Sequence, residues 1–349
     1  MPAKVGISDV AAAAGVSIST VSVALNDVSG SRVSPQTRER VRVVAKSLGY
    51  LPNRLARGLR RQRSGMVGFV GDRVATTPYA VRMILGAQEA FLAADQLMVL
   101  MDCDGDPGLE ARQITTLREH QVDGIVYAAM YHRRLDRLPD SLQGVPTVLL
   151  DAQINDAAVS WVVPDEAAGA REAVGELLAH GHRRVGLVTN ENDIPATRLR
   201  LRGYQAALKR AGVRFDPTLA SAGPPSADGG YRAAHHLLDR RDRPTGLFCF
   251  NDVMAMGVYR AAGEVGLRIP RDLSVVGYDN MHPVVTGLAP GLTTVQLPHY
   301  EMGVWAARQL LAITRTTPGR ARHARLRTPL VRRGSVTSLP GPNGTSQSP

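Results

Sequence analysis

Two sets of residues in this chain have types and spacing suited to recognition chemistry. The first is short and hydroxylic: Ser17, Ser19, Thr20 and Ser22, within the run Val16-Ser17-Ile18-Ser19-Thr20-Val21-Ser22-Val23. Hydroxyls on one outer helical face can meet base edges and phosphate oxygens. The second set is carboxylate, amide and guanidinium, each residue placed beside a strand-like apolar run. Asp151 follows Val-Leu-Leu, Asn251-Asp252 follows Leu-Phe-Cys-Phe, and Asp279 follows Val-Val-Gly-Tyr. Arg200 opens Arg-Leu-Arg-Gly-Tyr, near the start of the helix after the Val185 strand. Ligands of open α/β sheets sit beyond the carboxyl ends of strands. Acid and guanidinium groups converging there suit a polyhydroxylated ligand, which needs many directional partners. Each residue also has a plainer alternative. Asn251 or Asp252 can be a helix cap, Asp279 a turn residue, Asp151 a loop cap, and Arg200 the partner of a neighbouring carboxylate.

The hydroxyl set is positioned by two short helices and a tight turn. Ser8 is expected to cap the first helix, whose Val10, Ala11 and Ala14 share one face. Gly15 permits the left-handed residue that ends it, and Val16 plugs the corner. Ser17 caps the second helix, whose Val21 and Leu25 point back at the first. Ser34-Pro35 then opens a third helix, with Val41, Val44, Ala45 and Leu48 at helical spacing and Gly49 at its end. This is helix-turn-helix geometry, with a second helix able to enter a major groove. An Ala-rich helix pair with a Gly turn also occurs in enzymes, so the neighbouring sequence has to decide.

The acid and amide set needs a different scaffold. From Met66 onward, apolar runs alternate with amphipathic stretches. Strands are expected at 66–70, 97–101, 124–128, 147–150, 161–163, 185–189, 246–250 and 273–278. Helices are expected at about 79–94, 108–120, 166–180, 198–211, 230–239 and 253–265. Strand–helix–strand repetition implies parallel sheets flanked by helices. Two such sheets fit, with the change of lobe near Val163–Asp165, a late helix at 301–313 returning to the first lobe, and a closing strand at 330–335. The Ser/Pro/Gly-rich tail, 336–349, is expected to be disordered, and it carries no leucine heptads for a coiled coil.

Composition narrows the class. The chain has 349 residues and a net charge of +11. Residues 1–63 hold eleven Lys and Arg against three acids, a footprint of phosphate binding. A second basic run, Arg315 to Arg333, has seven Arg and no acid. Cys103 and Cys249 suit buried free thiols in a reducing compartment and make no zinc site. No apolar run is long enough to span a bilayer. The start, Met-Pro-Ala-Lys-Val-Gly, lacks the apolar core of a signal peptide, so a cytoplasmic protein with no membrane partner is expected. There is no nucleophile elbow, phosphate-loop lysine, HExxH or GxGxxG, so no catalytic residue, metal or cofactor is assigned.

The order DVA…AGVS.STVS.ALN…VS..TRERV…A..LGY.PN..AR.L, running from Asp9 to Leu59, resembles the lac-repressor (LacI/GalR) family of bacterial transcription factors. The resemblance implies an α/β protein: an all-α helix-turn-helix headpiece (1–50), a hinge helix and linker (51–63), a two-lobed periplasmic-binding-protein-like core (64–335) and a tail. It implies a homodimeric regulator, read as a repressor, binding a palindromic operator under control of a small effector, a sugar, in the cleft. DNA contacts would fall on Ser17, Ile18, Ser19, Thr20, Ser22, Val23 and Asn26, and in the hinge on Asn53, Arg54, Ala56, Arg57 and Leu59. Ala56 and Leu59 would enter the minor groove. Effector contacts would fall on Tyr79, Asp151, Arg200, Asn251 and Asp279. Two positions depart from the family. Val23 stands where arginine is frequent, and Pro224-Pro225 stand where some sugar-binding relatives have a stacking aromatic. The competing readings are a solute-binding protein or sugar-processing enzyme with the same core, or a regulator answering to a purine or nucleoside.

Overall fold

In the computed structural model, residues 5–26, 32–50, 63–78, 80–315 and 321–339 are described. The chain divides into two units, Met1–Gly65 and Met66–Pro349. The expected hinge contacts, Asn53 to Leu59, and Tyr79 lie outside the described residues.

The first unit is helical: α1 (Ile7–Ala14), α2 (Ile18–Leu25) and α3 (Pro35–Ser47). Gly15 sits at φ 63° and turns the chain, so that α2 departs from α1 with a bend of 101°. Ser17 caps α2 by accepting the Thr20 N–H at 3.1 Å, and Ser34 caps α3 by accepting the Thr37 N–H at 3.2 Å. Val10, Ala11, Ala14, Val21, Ala24, Val41 and Ala45 form the small core. One cap differs from expectation. Helix α1 begins a residue before Ser8, so Gly6 is its N-cap, and the Gly6 N–H donates to Asp9 Oδ2 at 2.8 Å. The Asp9 side chain, at the third helical position, reaches back to the N-cap N–H, as the acid of a capping box does. Leu48, at helical spacing with Val41, Val44 and Ala45, is 38% exposed, because it is already the C-cap rather than a helical residue.

The second unit carries two six-stranded sheets. The first contains β1 (Met66–Asp72), β2 (Leu97–Asp102), β3 (Ile125–Leu135), β4 (Thr147–Ile154), β5 (Ser160–Pro164) and β11 (His323–Leu326), in the order β11-β5-β4-β3-β1-β2. The second contains β6 (Val185–Asn190), β7 (Ala220–Gly223), β8 (Gly246–Cys249), β9 (Ser274–Asp279), β10 (Thr293–Gln296) and β12 (Leu330–Val331), in the order β12-β10-β9-β8-β6-β7. All pairings are parallel except β10–β12. The helices are α4 (Val81–Leu92), α5 (Pro107–Glu119), α6 (Glu166–Ala179), α7 (Pro195–Arg210), α8 (Ala227–Leu238), α9 (Asp252–Glu264), α10 (Val284–Gly287) and α11 (His299–Arg315).

The chain passes from the first sheet to the second after β5. It returns at α11, whose Met302, Ala306 and Leu310 join Phe69, Val126 and Leu150 in the first-lobe core. Helices α4 and α11 touch backbone to backbone: a Cβ on Gly86 would lie 2.1 Å from the Tyr300 carbonyl oxygen, and one on Gly303 would lie 2.1 Å from that of Met83. The crossing segments are tied together. The Asp165 N–H donates to the Leu326 carbonyl at 2.9 Å, Thr328 Oγ1 to the Asp165 carbonyl at 2.9 Å, and the Gln296 N–H to the Pro329 carbonyl at 2.8 Å.

Several boundaries differ from the sequence reading. Strands β3 and β4 continue past their apolar runs, because Arg133–Leu135 pair with Ala152–Ile154 beyond a register shift. Strands β7, β10 and β11 carry too little periodicity to show in the sequence. Helices α7 and α8 start three residues earlier than read, at Pro195 and at Ala227 after its Ser226 cap. The tail does not loosen at 336. Val336 packs on the second-lobe core, the Thr337 N–H donates to Ser274 Oγ at 3.1 Å, and the Leu339 N–H donates to the His180 carbonyl at 3.0 Å.

Candidate functional site

On the headpiece, Val21 and Ala24 face inward and are fully buried. Helical periodicity then puts Ser19, Ser22, Val23 and Asn26 on the opposite side of α2. Ser17, Ile18 and Ser19 are exposed, while Thr20, Ser22, Val23 and Asn26 are half-buried. Neither Ile18 nor Val23 belongs to the headpiece core. Part of the hydroxyl set is engaged locally. Ser17 Oγ lies 2.7 Å from Ser19 Oγ and 2.9 Å from Thr20 Oγ1. Asn26 ends the helix, its Nδ2 donating to the Ser22 carbonyl at 2.6 Å.

Between the lobes of the second unit lies a cavity of about 470 Å³. Asp151, Arg200, Asn251 and Asp279 all line it. Asp151 lies inside β4 rather than beyond it, at φ 54°, and Asp279 ends β9 at φ 110°. Two non-glycine residues held at positive φ, one from each lobe, are strained, and such strain persists where the surrounding fold demands a particular side-chain direction. Asn251 realises its capping alternative, accepting the Met254 N–H at 2.7 Å with Oδ1. Its Nδ2 donates to the Pro225 carbonyl at 3.4 Å, and Pro225 closes the second-lobe wall. Asp252 turns away from the cavity, accepting from Thr294 Oγ1 at 2.6 Å and the Met281 N–H at 2.7 Å.

Arg200 is a brace at the centre of this wall. Its Nε donates to Glu166 Oε2 at 2.8 Å and its Nη2 to Glu166 Oε1 at 3.2 Å. Its Nη1 donates to the Phe250 carbonyl and lies 3.7 Å from Asp279 Oδ1. The guanidinium stacks 3.7 Å from the Tyr278 ring centroid and 4.4 Å from that of Phe250. Its alternative role as a carboxylate partner is therefore realised, on a residue that still faces the cavity.

Burial pushes the Asp151 carboxyl well above the usual carboxylate range; Glu166 adds to this and Arg200 opposes it too weakly. Asp279 is pushed up in the same way by burial, against Arg200, with Asp252, Glu166 and Asp151 contributing repulsion. Burial would raise Glu166 too, but Arg200 outweighs it and holds this carboxyl below its ordinary value. Burial keeps the His132 ring below its ordinary pKa despite the nearby Glu166.

A stability prediction follows from Asp151. Its folded pKa is above its unfolded one, so its contribution favours folding at low pH and is lost as pH rises through the folded value. Asp151→Asn should therefore raise the melting temperature of the ligand-free protein, by more at pH 8 than at pH 5. Equal shifts at both pH values would contradict the assignment.

The cavity also contains residues the sequence reading passed over: Arg73, His132, Glu166, Asn190 and His299. Asn190 ends β6 and would have been found by the strand-end rule used for Asp279. His132 fell beyond the expected end of β3. Glu166 opens the helix expected at 166–180, and nothing local marks it as a cavity residue.

The chain matches two family models: "Bacterial regulatory proteins, lacI family" over residues 6–53 and "Periplasmic binding protein-like domain" over residues 174–336. It is 32% identical to the ribose operon repressor of Escherichia coli K12, over 95% of this chain and 99% of that protein. Among solved structures it resembles the transcriptional regulator CelR–cellobiose complex, with 33% identity, a TM-score of 0.68, and 95% and 99% of the two chains covered. It also resembles the lac repressor dimer bound to operator and the anti-inducer ONPF, with 26% identity, a TM-score of 0.80, and 96% and 100% covered. No single helix among the described residues is long and apolar enough to cross a membrane. With a helix-turn-helix headpiece ahead of a two-lobed cleft, and such relatives along nearly its full length, the chain belongs to the lacI family of bacterial regulatory proteins, which are DNA-binding transcriptional regulators and not enzymes.

Proposed function

We propose that this regulator is a homodimeric repressor that acts in the cytoplasm on a two-fold operator and releases or tightens its hold when a sugar enters the cleft. The observation that carries the sugar reading is the cavity wall itself. Asp151, Asp279 and Asn251 present directional polar groups around a braced guanidinium, which is what a hydroxyl-dense ligand needs. The ribose and cellobiose in the names of relatives agree with it. Ligand contacts from both lobes would bias their relative rotation about the tied crossing segments, and that coupling is reciprocal between effector and DNA. Around the hinge, Arg54, Arg57 and Arg60 would contact phosphates, and the family resemblance implies Ala56 and Leu59 in the minor groove with Asn53 among the DNA contacts.

The dimer reading rests on an unpartnered apolar surface of the first lobe. Val81, Leu85 and Leu92 on α4 are 43%, 45% and 72% exposed, and Leu97 and Leu100 on the edge strand β2 are 55% and 41% exposed. An apolar face of this kind beside a sheet edge marks an association surface. Binding-site selection with the full chain should return an inverted repeat, because a two-fold dimer meets a two-fold site. Leu85→Glu with Leu92→Glu should give a folded monomer by light scattering, with operator affinity down about tenfold or more. A selected site without two-fold symmetry, or a dimeric double variant, would sink the assignment.

A further inference from the structure

A second cavity of about 420 Å³ shares Arg73, Met130 and Tyr131 with the effector cavity as common wall. Its own lining comes from the same edge of the first sheet. Asp72 ends β1, Glu110 lies in the first turn of α5, and Tyr127 and Arg133 come from β3. The partition is built by a break in that strand. Between Ala128 and Arg133 the β3–β4 register shifts, and the irregular stretch puts Met130, Tyr131 and His132 at the cavity walls. Bulges that re-aim side chains in this way concentrate beside functional sites.

Both cavities hold buried polar atoms that no described residue satisfies. In the first, Asp151 Oδ1 has no hydrogen-bond partner among the described residues. In the second, Asp72 Oδ1 has none. The Asp72 side chain is only 10% exposed, and its other oxygen pairs with Arg133. Glu110 Oε2 accepts the Tyr127 hydroxyl at 2.7 Å, and Arg133 lies 5.7 Å from the Tyr131 ring centroid. An unsatisfied buried acceptor is costly, and such atoms call for an explanation. The second cavity sets Asp72 and Glu110 against Arg73 and Arg133, a balanced mix of acceptors and donors that suits a hydroxyl-bearing ring, which is the same chemistry as the first.

We propose that the effector is a two-ring saccharide, one ring held at Asp151, Arg200, Asn251 and Asp279, the other reaching past Tyr131 to Asp72 and Glu110. This rests on the sugar reading above and extends it. A single ring would satisfy one cavity and leave Asp72 Oδ1 unpaired, so the second ring is what gives this carboxylate its function.

Calorimetric titration tests it, with glucose, galactose, xylose and ribose set against disaccharides built from hexoses and pentoses. The expected result is that a disaccharide binds at least about tenfold tighter than its component monosaccharides. Asp72→Asn should remove most of that advantage while leaving monosaccharide binding within about twofold. Glu110→Gln, at a half-buried position, serves the same purpose if Asp72→Asn folds poorly. A monosaccharide that binds tightest, or a disaccharide whose affinity ignores both variants, overturns the two-ring proposal and leaves the sugar reading intact. Binding of no saccharide at all, with a nucleoside bound instead, overturns both.

Discussion

Arg200→Ala should lower the stability of the core by about 3–5 kcal/mol at pH 7, the usual result of removing one partner from a buried ion pair. The side chain is 6% exposed and that of Glu166 2%, so the carboxylate left behind is a buried charge without its partner. Asp279 loses the same cation. The penalty depends on pH in a defined direction. Glu166 has a folded pKa below its unfolded one. The stability it supplies is present above the unfolded value and is lost as pH falls through the folded value. The cost of Arg200→Ala should therefore shrink between pH 7 and pH 4. Urea unfolding, followed by circular dichroism and by the fluorescence of Trp161 and Trp305, measures it. Adding Glu166→Gln should recover part of the loss, because the amide is not an unpaired charge. A loss under about 1 kcal/mol, or no recovery, would show that Arg200 does not brace this wall.

The same residue shows how far sequence alone reaches into the site. The motif opening at Arg200 put a guanidinium near the cleft, and it lines the cleft. Its partner Glu166 lies 34 positions away on another helix, and no local pattern joins the two. Strand-end reasoning found Asp151, Asn251 and Asp279 because each follows an uninterrupted apolar run. It missed His132, since an irregular strand interrupts the pattern that marks its end.

At the level of elements, capping chemistry made the headpiece legible: Ser17, Ser34 and Gly15 act locally, and local rules describe them. Gly6 with Asp9 is the exception, where a glycine is the N-cap and a carboxylate three residues along reaches back to its N–H. The short strands β7, β10 and β11 are faint for a different reason. They are held by non-local pairing, such as His323–Leu326 along Trp161–Pro164, and four or fewer residues carry little periodicity.

Val23→Arg should confer a preference for G·C at one symmetric pair of operator positions, worth about 1–3 kcal/mol, the range for a bidentate arginine–guanine contact. In the wild type the outer face of α2 offers Ile18, Ser19, Ser22, Val23 and Asn26. None of these carries a guanidinium. An apolar side chain such as Val23 can pack on a thymine methyl, so the wild-type position should be loosely specified or favour A·T. More of the discrimination then falls to DNA deformability, read as energy at bases the protein does not touch. Val23 lies outside the headpiece core and is half-buried, while Val21 and Ala24 do the inward packing. The substitution should therefore leave the headpiece melting temperature nearly unchanged. Binding-site selection on wild type and variant reads the preference, and a salt titration separates two ways an arginine can act. A base contact changes which sequence wins. A phosphate contact raises affinity for all sequences alike and steepens the salt slope by about one unit. A uniform gain of that kind, a melted headpiece, or a wild-type requirement for G·C opposite Val23 would each refute the outward, base-facing placement. A new G·C preference in a folded variant would establish that α2 reads the operator through this face.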